Sequence, residues 1–195
     1  SHEYLIEQVQ MFEQQYSTLR SNATIDLNFN HPVKELVFGT DAYQNNISHG
    51  GIGAGLFMDA PGSLLDSRGR DTTVTLKLNG HERFAPRHPT YFSGQQVCEH
   101  HNGGAGLVSK GSIHVYSFAL KPEEHQPSGT CNFSRIDNAQ LVGTTLSLGT
   151  LNQAADGTDA IGLASNADVV KLTIFAVNYN VLRIMSGMGG LAYSN

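Results

Sequence analysis

Nine histidines in 195 residues are the first place to look for chemistry, since histidine supplies metal ligands and general bases alike. Glu99, His100 and His101 stand together and could offer a metal three donors. The spacing argues otherwise. Two ligands on one strand need one residue between them to project to the same side, and His100 and His101 are adjacent. No His-x-His occurs anywhere in the chain. The expectation is therefore a solvated turn before Gly103-Gly104 and no metal. Glu123, Glu124 and His125 could form an acid/base cluster if their surroundings drove their proton affinities apart. They lie between Pro122 and Pro127, in what reads as an exposed loop where water keeps both carboxylates ionised.

Other chemistries lack their motifs. No Gly-x-Ser-x-Gly elbow and no Gly-x-x-x-x-Gly-Lys phosphate loop occurs. Gly51-Ile52-Gly53-Ala54-Gly55 lacks the flanking strand and helix that a dinucleotide loop requires. The same holds for Gly187-Met188-Gly189-Gly190, which reads as a turn between strands. Asn22, Asn46 and Asn132 begin Asn-x-Ser/Thr triplets, which gain meaning only in a glycosylating compartment. Cys98 and Cys131 are the only cysteines, too few for a disulfide framework, and both read as unpaired thiols. No catalytic, cofactor-binding or metal-binding residue is assigned.

The elements that would position these groups are strands. Hydrophobic residues make up 39% and charged residues 15%, excluding a disordered chain, and 21 glycines beside many Asn, Ser and Thr favour turns and short strands. A net charge of -5 with scattered Lys and Arg offers no basic face for nucleic acid, and no apolar run is long enough for a membrane span. The length suits one domain over residues 1–195. The start at Ser1-His2-Glu3-Tyr4 lacks an initiator Met, so a fragment of a longer polypeptide is expected, and no cationic segment leads into an apolar stretch as in a secretory signal.

Along the chain, Tyr4 to Phe12 reads as a strand, and Ala23 to Phe29 alternates strictly with Ile25, Leu27 and Phe29 on one face. Val33 to Phe38 and Thr72 to Leu78 follow, separated by a long aperiodic stretch, 39–71, expected to be a surface loop. Asn79-Gly80 predicts a tight turn. Pro89 starts a short helix through Tyr91, Phe92 and Val97. Further strands are predicted from Gly111 to Leu120, from Cys131 to Ile136, from Leu141 to Leu148 and from Val169 to Met185, the last long enough to bend or to be two. The predicted core is Ile25, Leu27, Phe29, Val74, Leu76, Leu78, Ile113, Val115, Phe118, Leu172, Ile174 and Val177. About eight strands predict an all-β sandwich or jelly roll of two antiparallel sheets.

Several stretches resemble the major capsid proteins of nucleocytoplasmic large DNA viruses. They are Tyr116-Ser117-Phe118-Ala119-Leu120-Lys121-Pro122, then Gln126-Pro127-Ser128-Gly129-Thr130-Cys131-Asn132-Phe133-Ser134-Arg135-Ile136-Asp137-Asn138, and the ending from Asn178 to Asn195, which is similar to algal viruses and iridoviruses. His2 to Gln8, Asn28 to Lys34 and Leu78 to Phe84 are similar as well; 39–71 and 149–168 match least. The resemblance implies the second barrel of a double jelly roll whose first barrel is absent from this sequence. It also implies homotrimeric pseudo-hexagonal capsomers that meet neighbouring capsomers and minor capsid proteins. Assembly in the host cytoplasm, residence in the virion and no enzymatic activity go with it. The competing readings are a carbohydrate-binding jelly-roll module, disfavoured by the absence of Trp for stacking on sugars, and a cupin-type metalloenzyme, disfavoured by the ligand spacing.

Overall fold

The computed structural model describes residues 1–17, 22–43, 73–102, 113–144 and 169–193. The strands are β1 (His2–Ser17), β2 (Asn22–Asp26), β3 (Pro32–Tyr43), β4 (Thr73–Leu78), β5 (His81–Glu82), β6 (His114–Ser117), β7 (Cys131–Asn132), β8 (Ala139–Thr144), β9 (Val169–Met185) and β10 (Met188–Leu191). A π-helical turn, Tyr91–Gln95, runs into a short helix α1, Gln96–His100. One sheet has the order β1-β9-β3-β6, with β10 added to β9 and β7 to β3; the other has the order β2-β8-β4-β5. All pairings are antiparallel. From β1 to β4 the chain alternates between the sheets; β5 then turns back on β4, β6 and β7 return to the first sheet, and β8 and β9 cross once more, giving two four-stranded paths in the jelly-roll arrangement expected from the sequence.

The core lies where the two apolar faces meet. Ile25, Leu27 and Phe29 face inward from one sheet with Val74, Leu76 and Leu141, and Leu36, Phe38, Leu172, Ile174 and Ala176 meet them from the other. Leu78 and Phe118 pack half-buried against this cluster. Phe92 is wholly buried and joins the helical segment to β3 through Phe38 and to the stretch after β5 through Phe84, at ring separations of 5.6 Å each. Pro89 lets this segment start, its carbonyl accepting the amides of Phe92 and Ser93.

Two expected core positions are corrected. Ile113 is 52% exposed. Its strand turns the other way: Leu36 pairs with Tyr116 and Phe38 with His114, so His114 and Tyr116 point inward and Val115 is buried on the outer face opposite Val37. Val177 also lies on the outer face, half-buried, because it is out of phase with Leu172, Ile174 and Ala176.

Several boundaries also shift. β3 continues through Tyr43, five residues into the expected loop, and 44–72 lie outside the described residues. The Cys131 to Ile136 strand is two residues long and gives way to a 3-10 turn, Phe133–Arg135, whose start is capped by Asn132 Oδ1 accepting the Ser134 amide at 3.1 Å. β6 is four residues long, and β8 starts at Ala139; 145–148 and 149–168 lie outside the described residues. Of the two readings left open for the last segment, β9 is one continuous strand of 17 residues. The Asn79-Gly80 turn is present with φ of 51° and 80°, the left-handed pair that a two-residue hairpin needs.

Candidate functional site

The densest gathering of ionisable side chains sits on the outer face of the β1-β9-β3-β6 sheet. Its origin is a bulge in β3. The register against β9 slips between Val33 and Glu35, so Lys34 and Glu35, though consecutive, both project away from the core. Lys34 is nearly inaccessible, and its Nζ donates to Glu7 Oε1 at 2.7 Å while lying 5.5 Å from the centre of the Tyr179 ring. The ammonium leaves water only because a carboxylate and a π-face replace its hydration.

Glu35 is bridged by His101. The His101 Nε2 lies 3.1 Å from Glu35 Oε2, within ion-pair range but outside hydrogen-bond geometry. Its Nδ1 lies 3.2 Å from Glu123 Oε1. Burial raises the Glu35 carboxyl above the usual carboxylate range, and the nearby His101 and Lys34 only partly offset that. Glu123 is held low instead, first by the Asn102 amide that donates to it at 3.1 Å. His101 thus fastens the end of α1 to β3 and to the loop after β6. It is not the solvated turn expected from the sequence.

The other candidate residues are dispersed. His100 Nδ1 sits 3.1 Å from the Leu120 carbonyl, and Glu99 accepts from Gln95 at 2.8 Å. Glu124 pairs with Lys121 at 3.0 Å, and His125 lies 3.6 Å from Glu7. Glu123, Glu124 and His125 therefore serve three different partners and form no acid/base pair. No group of three or more His, Cys, Asp or Glu side chains placed to hold a metal occurs among the described residues. Cys98 is exposed and Cys131 half-buried, both free. Gly187 closes the Ser186-Gly187 turn between β9 and β10, as expected, at φ of 80°. Gly51 to Gly55 and Asn46 lie outside the described residues; Asn22 opens β2, and Asn132 is exposed. No helix among the described residues is long and apolar enough to cross a membrane.

Sequence reasoning missed Lys34 and Glu35. A Lys-Glu pair inside the apolar run from Val33 to Phe38 was the available signal, since strict alternation would put one of the two charges into the core.

Taken together, the strand order and the ion pairs that brace one sheet's outer face define a jelly-roll building block. The family model for the large eukaryotic DNA virus major capsid protein matches residues 1–190. The chain is 44% identical to a major capsid protein of Pyramimonas orientalis virus and 39% identical to one of Paramecium bursaria Chlorella virus 1, in each case over all of this chain and 44% and 49% of the relative. It also superposes on a chain of the PBCV-1 virus capsid with a TM-score of 0.67 and 34% identity, covering 100% of this chain and 52% of that one. This chain belongs to the large eukaryotic DNA virus major capsid protein family. It spans about half the length of the curated relatives it matches.

Proposed function

We propose that this chain is the second barrel of a double jelly-roll capsid protein, and that the whole protein works as a shell subunit and not as an enzyme. The observation that carries the reading is the family match over residues 1–190, set on a fold whose two sheets follow the jelly-roll order. The bracing of α1 and the loop after β6 by His101 and Glu123, and of β1 to β3 by Glu7 and Lys34, suits a block that must hold its form under contact from several sides. Three copies of the full-length protein form a closed cyclic capsomer, which meets neighbouring capsomers and minor capsid proteins in the virion after assembly in the host cytoplasm.

The test is sedimentation of the full-length protein together with electron microscopy of particles. A trimer that enters icosahedral shells is expected. A stable monomer at micromolar concentration, absent from particles, would overturn the reading.

A further inference from the structure

The core of this barrel ends at a layer of buried amides. Asn178 Nδ2 donates to the Asn30 carbonyl at 3.1 Å, and Asn180 Nδ2 donates to Gln8 Oε1 and to the Tyr193 carbonyl, each at 3.0 Å. Both asparagines are buried. Apolar packing stops there, yet β1 and β9 run on past the layer and β10 folds back on β9, making a three-stranded arm from His2 to Leu5, Val181 to Met185 and Met188 to Leu191.

This arm is rich in bare apolar surface. Tyr4, Leu5, Met185, Met188 and Leu191 are five of the ten exposed large apolar side chains among the described residues, and Met188 is 75% exposed. They occupy both faces: Tyr4, Leu182 and Leu191 share one row across the strands, and Met185 pairs with Met188. A ribbon of three short strands with apolar residues on both sides has no core of its own to join. Its outer edge is also open. Among the described residues β10 pairs only with β9, and a side-chain carbon built on Gly190 would meet nothing within 4 Å beyond its own chain neighbours, so that face of the ribbon is open as well.

We propose that this arm is a contact between copies of the capsid protein, seated against a second copy of this chain in the assembled shell. The charge pattern selects that occupant. The arm's one carboxylate, Glu3, and its one guanidinium, Arg183, neutralise each other at 2.6 Å, so two identical arms meet without like-charge repulsion and a strongly charged partner finds nothing to pair with. A shell also presents every subunit with identical neighbours at high local concentration. The inference rests on the capsid reading above and names a surface that reading leaves open.

The test uses particles assembled from full-length protein carrying Cys98→Ser, to remove the exposed native thiol, and Met188→Cys. They are treated with a short bismaleimide and analysed by mass spectrometry. The expected product has twice the subunit mass and joins two copies through position 188. In parallel, Met188→Glu with Leu191→Glu should lower shell yield by about tenfold, because carboxylates facing their own copies repel. Circular dichroism of the subunit should be unchanged. If intact shells form but position 188 cross-links to a different protein, to another part of its own polypeptide, or to nothing, the arm proposal fails and the capsid reading stands. If the protein with native cysteines and arm enters no shell, both fail.

Discussion

His114 makes the stability of this domain depend on pH in a way that can be isolated. The imidazole lies on β6 facing the core, stacked on Phe38 at 5.8 Å, and burial pushes its pKa from the ordinary 6.5 down to about 4. In the unfolded chain the ring takes a proton as pH falls through 6.5; in the fold it stays neutral until about 4. A group with a depressed folded-state value contributes stability that is present above 6.5 and lost between 6.5 and 4. At about 1.4 kcal/mol per pH unit, that loss is about 3 kcal/mol, a large share of a typical domain's stability. The His114→Phe variant keeps a ring against Phe38 and cannot titrate. Its packing cost, about 1–3 kcal/mol if the larger ring strains the site, is the same at every pH and cancels. Urea denaturation of both proteins at pH 7.5 and pH 4 gives four free energies. The native protein should lose about 3 kcal/mol more than the variant across that interval. Parallel losses would refute the reasoning and mean that His114 meets water or a carboxylate in the fold.

Gly129 has φ of 145°, and a Cβ there would stand 2.7 Å from the Phe118 carbonyl oxygen, so Gly129→Ala should cost about 1–3 kcal/mol and lower the Tm measured by calorimetry by several degrees. Gly94 sits in the helical segment with open space around it, and Gly94→Ala should instead raise the Tm, by the equivalent of about 0.5–1 kcal/mol. Phe92→Ala empties a fully buried ring site between the sheets and should cost about 3–5 kcal/mol in the same assay. Cys98 should react with a thiol reagent at once, and Cys131, half-buried with its thiol pushed up by burial, many-fold more slowly; an intact mass lower by two hydrogens without reductant would contradict both free thiols.

How far the fold was readable depended on whether a strand has one wet face. Ile25, Leu27 and Phe29 alternate with Thr24, Asp26 and Asn28, and all three are buried. The period carried the answer because water covers the other side. In β9 the signal fails, since Phe175, Val177 and Tyr179 are as apolar as the inward Leu172, Ile174 and Ala176, so phase alone cannot choose Val177 or reject it. β6 misled for the opposite reason. Hydrophobicity favours Ile113 and Val115 for the interior, yet His114 and Tyr116 take those places because pairing with Leu36 and Phe38 sets the register across the sheet. A neighbouring strand decided it, and no local pattern in β6 records that neighbour.

The candidate site was harder to read for a related reason. His101, Glu35 and Glu123 are 66 and 22 residues from one another along the chain, and they meet only because a bulge turns Glu35 outward while α1 ends above it. Searches for close spacing find enzymes whose groups lie on one element; they do not find braces, which by their nature tie distant elements together. The same logic separates the apolar residues of the arm from those of the core. Val74 and Leu172 are apolar because this domain folds around them. Met188 and Leu191 lie beyond the buried Asn178 and Asn180, and neither belongs to the core cluster or packs against it. Their hydrophobicity is costly to a lone subunit in water, and it becomes favourable only when a neighbouring surface covers it. Where a domain's own core ends, apolar side chains of that kind mark a surface that the folding of the domain does not use.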